Sequence, residues 1–412
     1  MAKCLIGNSV ILIPVLTIAE TLATSKNNTL KMNRILLFIL FSTITNFIQA
    51  QKIENDTNSL NIIIDKNVLN AEDENENEII KLWSNYLNSG EYKNPTSIYW
   101  DRTEYPIPDY FLWPVNIKNL KSRTPKVQCT VIGIYPVENN HYALKTSLTS
   151  IGAKGEIVLE AILSVFAKKI NEKYVLVNSS QYHKGLWGKK QVGQINYYVH
   201  PNHKFDKQEA DKMNAFNEKM AKLFNIPTIS FDYFVSNYSR EIVKLWGYDY
   251  MPKIYIPGQT GGVADISNGL VYAGNNSEYY PHELVHLYTN EVYPDGYHFW
   301  LNEGFATYLA GSGGYDLDWH IEKLKAYIIE NPDFEISFKT LKGYIPNGLH
   351  STEFRYVIGG LICKKVYESN GMKALFDGLK NVRTDEELYQ FIEEKLNVKQ
   401  ADFSEYIKRI VK

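Results

Sequence analysis

Two histidines four apart, His282 and His286, stand in the string PHELVH at 281–286, with Glu283 directly after the first. On an α-helix, residues four apart project from one face, one turn from each other, so two imidazoles at this spacing can reach one ion. Glu283 is rotated about 100° from His282. It is badly placed to ligate the same ion and well placed to take a proton from a water held there. The plain alternative is a pair of surface histidines on an ordinary helix. A second string weighs against it. PDG at 294–296 is a turn signal, and WLNEGFATYLAG at 300–311 reads as a helix ended by glycine. A helix, a tight turn and a returning helix bring Glu303 back opposite the histidines. A carboxylate at a helix start is also favoured by the dipole alone. Two histidines and one glutamate, with a fourth position left for water, form the donor set of a catalytic zinc rather than a closed structural one. The chemistry expected is hydrolysis at one Zn2+ ion held by His282, His286 and Glu303, with Glu283 as general base. Ser277 is the expected N-cap of the histidine helix, which places Pro281 in its tolerant first turn. Leu284, Leu287 and Tyr288 then anchor the helix in the core.

HELVH followed by NEGFA resembles the gluzincin metallopeptidases, and among them the aminopeptidase-N-like group, whose third zinc ligand sits in an N-E-G-x-A string. The resemblance spans about residues 190–412 and is sharpest between 277 and 311. It implies a thermolysin-like catalytic domain with a strand-edged upper lobe and a mostly helical lower one. It also implies a downstream tyrosine that stabilises the oxyanion, often in a Y-x-x-G setting. Tyr356 with Gly359 fits, and Tyr344 and His350 are the reserves. His298 and His320 read as loop or surface histidines. Two features depart from the pattern. The G-x-M-E-N string that grips a substrate amine is missing from GGVADISNGLVYAG at 261–274, which leaves Asp265 or Glu278 as alternative anchors. Thr307 and Ala310 stand where an acid could orient a ligand histidine. The strand at 269–274 is expected to receive an extended substrate at its edge.

The elements around these residues predict an α+β fold. A helical pattern from Glu78 carries Ile80, Trp83 and Leu87 on one face. Strand-like runs follow at 126–137, 141–150, 157–170 and 173–180, an antiparallel meander. Residues 76–189 thus form a small α+β domain, and 190–412 a second domain. In the second, Asp206 and Glu209 have capping-box spacing ahead of a helix to 224, whose stripe is Ala210, Met213, Phe216, Met220 and Leu223. Strands follow at 228–235 and 269–274, with a short helix stopped by Gly247 between them, and the chain from Trp300 reads as almost entirely helical.

With 412 residues, 44% apolar and 22% charged, the chain has enough for two folded domains. A net charge of −2 gives no electrostatic case for nucleic acid. The three cysteines, Cys4, Cys129 and Cys363, form no metal pair or disulfide framework. Residues 32–50, MNRILLFILFSTITNFIQA, have the basic, apolar and small-residue order of a secretory signal cut after Ala50, with translation starting at Met1 or Met32. Residues 51–75 read as a flexible leader, and no stretch reaches membrane-spanning length. The expected protein is an exported, periplasmic or secreted, zinc peptidase acting on peptides or proteins, cutting inside chains. The alternatives are an aminopeptidase with a different amine anchor, or a binding or surface-assembly protein with a peptidase-like domain.

Overall fold

The computed structural model describes residues 62–68, 73–112, 127–152, 154–252, 261–338, 343–345 and 352–411. The signal-like segment and His350 lie outside them. The fold is α+β, with open sheets first and helices dominating the C-terminal part. Strand β1 (Ile62–Ile64) falls inside the stretch expected as a leader, where three β-branched isoleucines pair in parallel with β2 (Val127–Val137). Between them, α1 (Glu74–Ser89) starts at Asp73, whose side chain accepts from the N–H groups of Asn75 and Glu76, and ends at left-handed Gly90. Its face of Ile79, Ile80, Trp83, Tyr86 and Leu87 is buried. The meander continues through β3 (His141–Ile151), β4 (Ile157–Ile170) and β5 (Lys173–Val177), all antiparallel. Its turns place Asn139, Asn140, Asn171 and Glu172 at positive φ.

After α2 (Ser179–Lys184), a second sheet forms from β6 (Gly188–Val192), β7 (Ile195–Val199) and, beyond α3 (Lys207–Phe224), β8 (Phe231–Val235). Helix α4 (Ser239–Leu245) leads into β9 (Tyr248–Tyr250), which returns to pair with β4 of the first sheet. The chain expected as the second domain therefore contributes a strand to the first sheet. Strands β10 (Gly262–Asp265) and β11 (Leu270–Ala273) complete the second sheet in the order β10-β11-β8-β7-β6.

Both faces of this second sheet are covered, and the alternation of side chains decides which residue goes where. Ile195, Tyr197, Phe231, Tyr233, Val271 and Ala273 face the main core. Tyr198, Phe234, Leu270 and Tyr272 face a smaller core shared with Tyr105 and Trp187, and with Ile242 and Leu245 of α4. The sheet is thus fixed between the helical half and the segment around Tyr105.

Asp206 caps α3, but Glu209 does not complete the expected reciprocal box. Glu209 turns to Lys212 and Ser277, and the Asp206 N–H is taken instead by buried Glu278 at 3.0 Å.

The helical half comprises α5 (Pro281–Val292), α6 (Phe299–Ala310), α7 (Leu317–Glu330), the two-residue strands β12 (Tyr344–Ile345) and β13 (Thr352–Glu353), α8 (Phe354–Asn381), α9 (Asp385–Leu396) and α10 (Phe403–Ile410). Helix α5 starts later than its sequence suggests. Tyr280 is its N-cap and Pro281 its first residue, where a missing N–H costs nothing. Ser277 instead accepts the N–H of Tyr279 in a local turn. The free cysteines Cys129 and Cys363 are buried in separate cores. Among the described residues, no helix is long and apolar enough to cross a membrane.

Candidate metal centre

His282 and His286 project from α5, and Glu303 faces them from α6. One ligand atom of each lies within 4.8 Å of the other two. Glu303 Oε2 stands 3.4 Å from His282 Nε2 and 3.7 Å from His286 Nε2. The opposite side of α5 is core as expected, with Leu284, Leu287 and Tyr288 buried.

The Nδ1 atoms are held from behind. His282 Nδ1 donates to the Gly311 carbonyl at 2.7 Å, which fixes its proton there and leaves the Nε2 lone pair for a ligand. His286 Nδ1 lies 2.8 Å from the Asn302 carboxamide nitrogen, while Asn302 Oδ1 is buried without a partner. The two ends of a carboxamide have nearly the same shape. With the amide turned over, Oδ1 accepts from His286 Nδ1–H, which satisfies the orphan atom and also frees Nε2. Two neutral imidazoles and one carboxylate, each oriented by a second group, fit a divalent ion that prefers nitrogen and oxygen donors.

Electrostatics bind the three groups to one another. Burial alone would raise the Glu303 carboxyl, but the His282 and His286 imidazoles outweigh it and hold the acid well below its ordinary range. Burial would lower His286, yet the hydrogen bond and charge of Glu303 raise it.

Glu283 does not join the triad. Its Oε2 accepts the N–H of Ala264 on β10 at 2.8 Å, so the sheet edge orients this carboxylate. The expected edge strand needs correction. β11, within 269–274, is paired on both sides, in parallel with β8 and antiparallel with β10. Among the described residues the edge strand is β10. Since Ala264 gives its N–H to Glu283, Gly262 and Ala264 are the residues whose backbone faces away from β11. Gly262 also packs on Tyr280, where an added Cβ would lie 2.6 Å from the ring.

Tyr356, in the first turn of α8, is brought to the site. Its ring centre stands 5.6 Å from that of His282. Burial, and then the charges of Glu303 and Glu353, raise its hydroxyl above the ordinary range. Tyr344 is exposed on β12 and engaged with Glu353. His298 and His320 are buried rather than on the surface. His298 Nε2 meets Asp385 Oδ1 at 3.0 Å, at the start of α9. His320 Nε2 donates to the Ser312 carbonyl at 3.1 Å, and its Nδ1 lies 2.7 Å from the Thr352 hydroxyl. Burial pushes its imidazole down to about 4, as a neutral ring with both nitrogens in use requires. It thereby pins the turn whose Gly311 carbonyl holds His282 to the strand that leads into Tyr356.

Sequence reasoning missed Asn302, Gly311 and the Ala264 amide. Two of them act through backbone atoms that any residue type carries. Only Asn302, next to Glu303, left a readable signal. Thr307 turns its hydroxyl to the Glu303 carbonyl at 2.8 Å and Ala310 carries no polar side chain, so neither orients a ligand. No family model matches this chain, and the comparison with curated proteins likewise gives no match.

Proposed function

We propose that the protein is an exported zinc-dependent peptidase that cuts within peptide chains. The observation that carries this reading is the convergence of His282, His286 and Glu303 with Glu283 fixed beside them but outside the donor set. The sequence strings HELVH and NEGFA, which resemble the gluzincin pattern, support it, and the layout of residues 32–50 supports export.

When bound by His282, His286 and Glu303, a zinc ion supplies Lewis acidity toward a water and a peptide carbonyl. The remaining work belongs to the chain. Glu283 takes the proton of the attacking water and passes it to the leaving amine. Its Oε2 is committed to the Ala264 N–H, so Oε1 does the transfer. Tyr356, kept protonated by burial and nearby acids, donates to the carbonyl oxygen as negative charge grows there. The outward-facing carbonyls of Gly262 and Ala264 on β10 offer acceptors for the N–H groups of an extended substrate.

Internal cleavage is favoured because the two candidate amine anchors are buried within the protein. Asp265 is 2% exposed and its oxygens accept from Asn268 N–H and Nδ2. Glu278 is 0% exposed and bonds His203 and the Asp206 N–H. An ammonium left unpaired in a partly desolvated cleft is costly. The test is metal analysis of the purified chain together with hydrolysis of an N-acetylated peptide and its free-amine twin. One bound zinc and equal internal cutting of both are expected. Stepwise removal of residues from the free-amine peptide alone overturns the internal-cleavage claim.

A further inference from the structure

Arg355 directly precedes Tyr356 and has no part in the chemistry proposed above. Its guanidinium carbon stands 4.8 Å from the centre of the Phe299 ring and 5.2 Å from that of Tyr356. Glu353 pairs with its Nε. Two ring contacts and one ion pair fix the guanidinium plane. Glu353 is buried, and it also accepts the hydroxyl of Tyr344, so its charge is divided between two partners. The Arg355 side chain keeps 29% of its surface open, and Phe299 beside it is half exposed. The cation is therefore held along one edge and open along the other.

A guanidinium carries five N–H donors in a planar fork, and Nε is only one of them. The outer pair matches a carboxylate with two parallel hydrogen bonds. The nearby acids are placed differently. Of the acids whose charge reaches Tyr356, Glu303 faces the two ligand imidazoles, Glu283 accepts the Ala264 N–H and Glu353 pairs with Arg355 itself. Among the described residues around Tyr356, a substrate ammonium thus meets engaged carboxylates, while a substrate carboxylate meets the Arg355 N–H groups that Glu353 and the Tyr356 hydroxyl leave over. Tyr356 lies against His282, which puts the Arg355 fork at the rim of the ligand triad.

We infer that the outer edge of Arg355 binds a substrate carboxylate close to the bond that is cut. The preferred substrates then carry Asp, Glu or the chain-terminal carboxylate at one position beside the scissile bond. This inference rests on the peptidase reading and sharpens it.

A mixed peptide library digested by the zinc-loaded full chain tests it, with cut sites read by mass spectrometry. Cuts clustered beside acids are expected. Changing that acid to its amide is expected to lower kcat/KM about tenfold, the size of one charge-assisted pair. Replacing Glu by Gln in the peptide and amidating its C-terminus are separate arms, and the arm that shows the loss identifies the source. In Arg355→Gln the acid and amide peptides become equal, and Arg355→Lys, which keeps charge without the fork, falls between. The peptide swaps alter nothing in the protein, so they read the preference even where a variant folds poorly. Cutting without acid preference, or a preference that survives Arg355→Gln, overturns the inference and leaves the peptidase reading standing. If no peptide is cut, that reading fails, and anisotropy of labelled acid and amide peptides on the zinc-loaded Glu283→Gln chain decides for Arg355. Equal affinities there overturn it.

Discussion

Glu283 and Glu303 are the same residue type on neighbouring helices, and their surroundings give them different work. Glu303 faces two imidazoles and is held ionised between them. Glu283 faces a backbone N–H on the sheet edge. Glu283→Gln keeps an oxygen for Ala264 and leaves the triad untouched. It is expected to retain zinc and lose nearly all turnover, whereas His282→Ala and Glu303→Ala lose the metal. Metal analysis beside a peptidase assay separates these outcomes, and normal hydrolysis by Glu283→Gln would remove the general-base role. Tyr356→Phe deletes a single hydroxyl. A fall in kcat of about 10²-fold with a smaller change in KM is expected for one lost oxyanion donor. Steady-state kinetics check it, and an unchanged kcat takes Tyr356 out of the mechanism.

At the scale of elements, the site depends on the crossing of α6 and α8. The glycine of NEGFA and the glycine three residues after Tyr356 meet backbone to backbone. A Cβ on Gly304 would lie 2.1 Å from the Gly359 carbonyl carbon, and one on Gly359 would lie 2.5 Å from the Trp300 carbonyl oxygen. This contact sets Glu303 and Tyr356, each within a turn of the crossing, at one height beside α5. Gly304→Ala has no flexible side chain to push aside, so the helices themselves must separate. A loss of about 3 kcal/mol and weaker zinc retention are expected. Denaturant unfolding and a chelator competition measure the two, and a variant as stable and as metal-tight as the parent would show that the crossing has slack. Gly311 is constrained in the same way. It sits at φ +72°, with the Tyr315 carbonyl 2.1 Å from where a Cβ would stand, so the carbonyl that orients His282 needs a glycine.

Across the whole molecule, buried polar pairs tie distant segments together. Asn268, at the β10–β11 turn, exchanges two hydrogen bonds of 2.9 Å with the backbone of Ile107, so the edge strand that orients Glu283 is fastened to the N-terminal half. His203 and Glu278 join the start of α3 to the segment before α5. His203 Nε2 meets Glu278 Oε1 at 2.8 Å, and its Nδ1 meets Asn237 Oδ1 at 2.8 Å. Both nitrogens face acceptors, as an imidazolium requires. Burial opposes the charge, but the hydrogen bond to Glu278, with those to the asparagines, wins and raises the pKa. A folded-state pKa above the unfolded value near 6.5 means the native protein binds the extra proton. The stabilisation is complete below about pH 6 and is lost as pH rises through the folded pKa. Burial also pushes Asp265 up to about 7, but it titrates equally in parent and variant. The stability difference between the parent and His203→Gln is therefore expected to be about 3 kcal/mol near pH 6 and to shrink toward pH 9. Denaturant unfolding across that range measures it, and a difference that is flat or grows with pH contradicts the imidazolium.

The local elements and the ligand types were legible in the chain itself. The α1 stripe, the four-strand meander with its asparagine turns and the α3 stripe are periodic patterns, and periodicity is a local property. The triad was legible for the same reason, since i, i+4 spacing and a short turn fix which side chains can meet. What depends on contacts between remote segments was not. Whether β11 or β10 lies at the edge is decided by which strand pairs with β8, a contact between segments far apart in the chain. The groups that hold the histidines are a carbonyl and an asparagine, and the group that holds Glu283 is an amide; backbone atoms leave no mark in a sequence. His298 and His320 read as loop or surface residues, and their burial is not legible because it depends on partners such as Asp385 and Thr352, many residues away along the chain. Sequence determined the candidate donor set, and tertiary packing decided its orientation, the strand beside it and the acids withdrawn from it. Side-chain type is carried by each residue alone, whereas direction and pairing exist only once the chain has closed on itself.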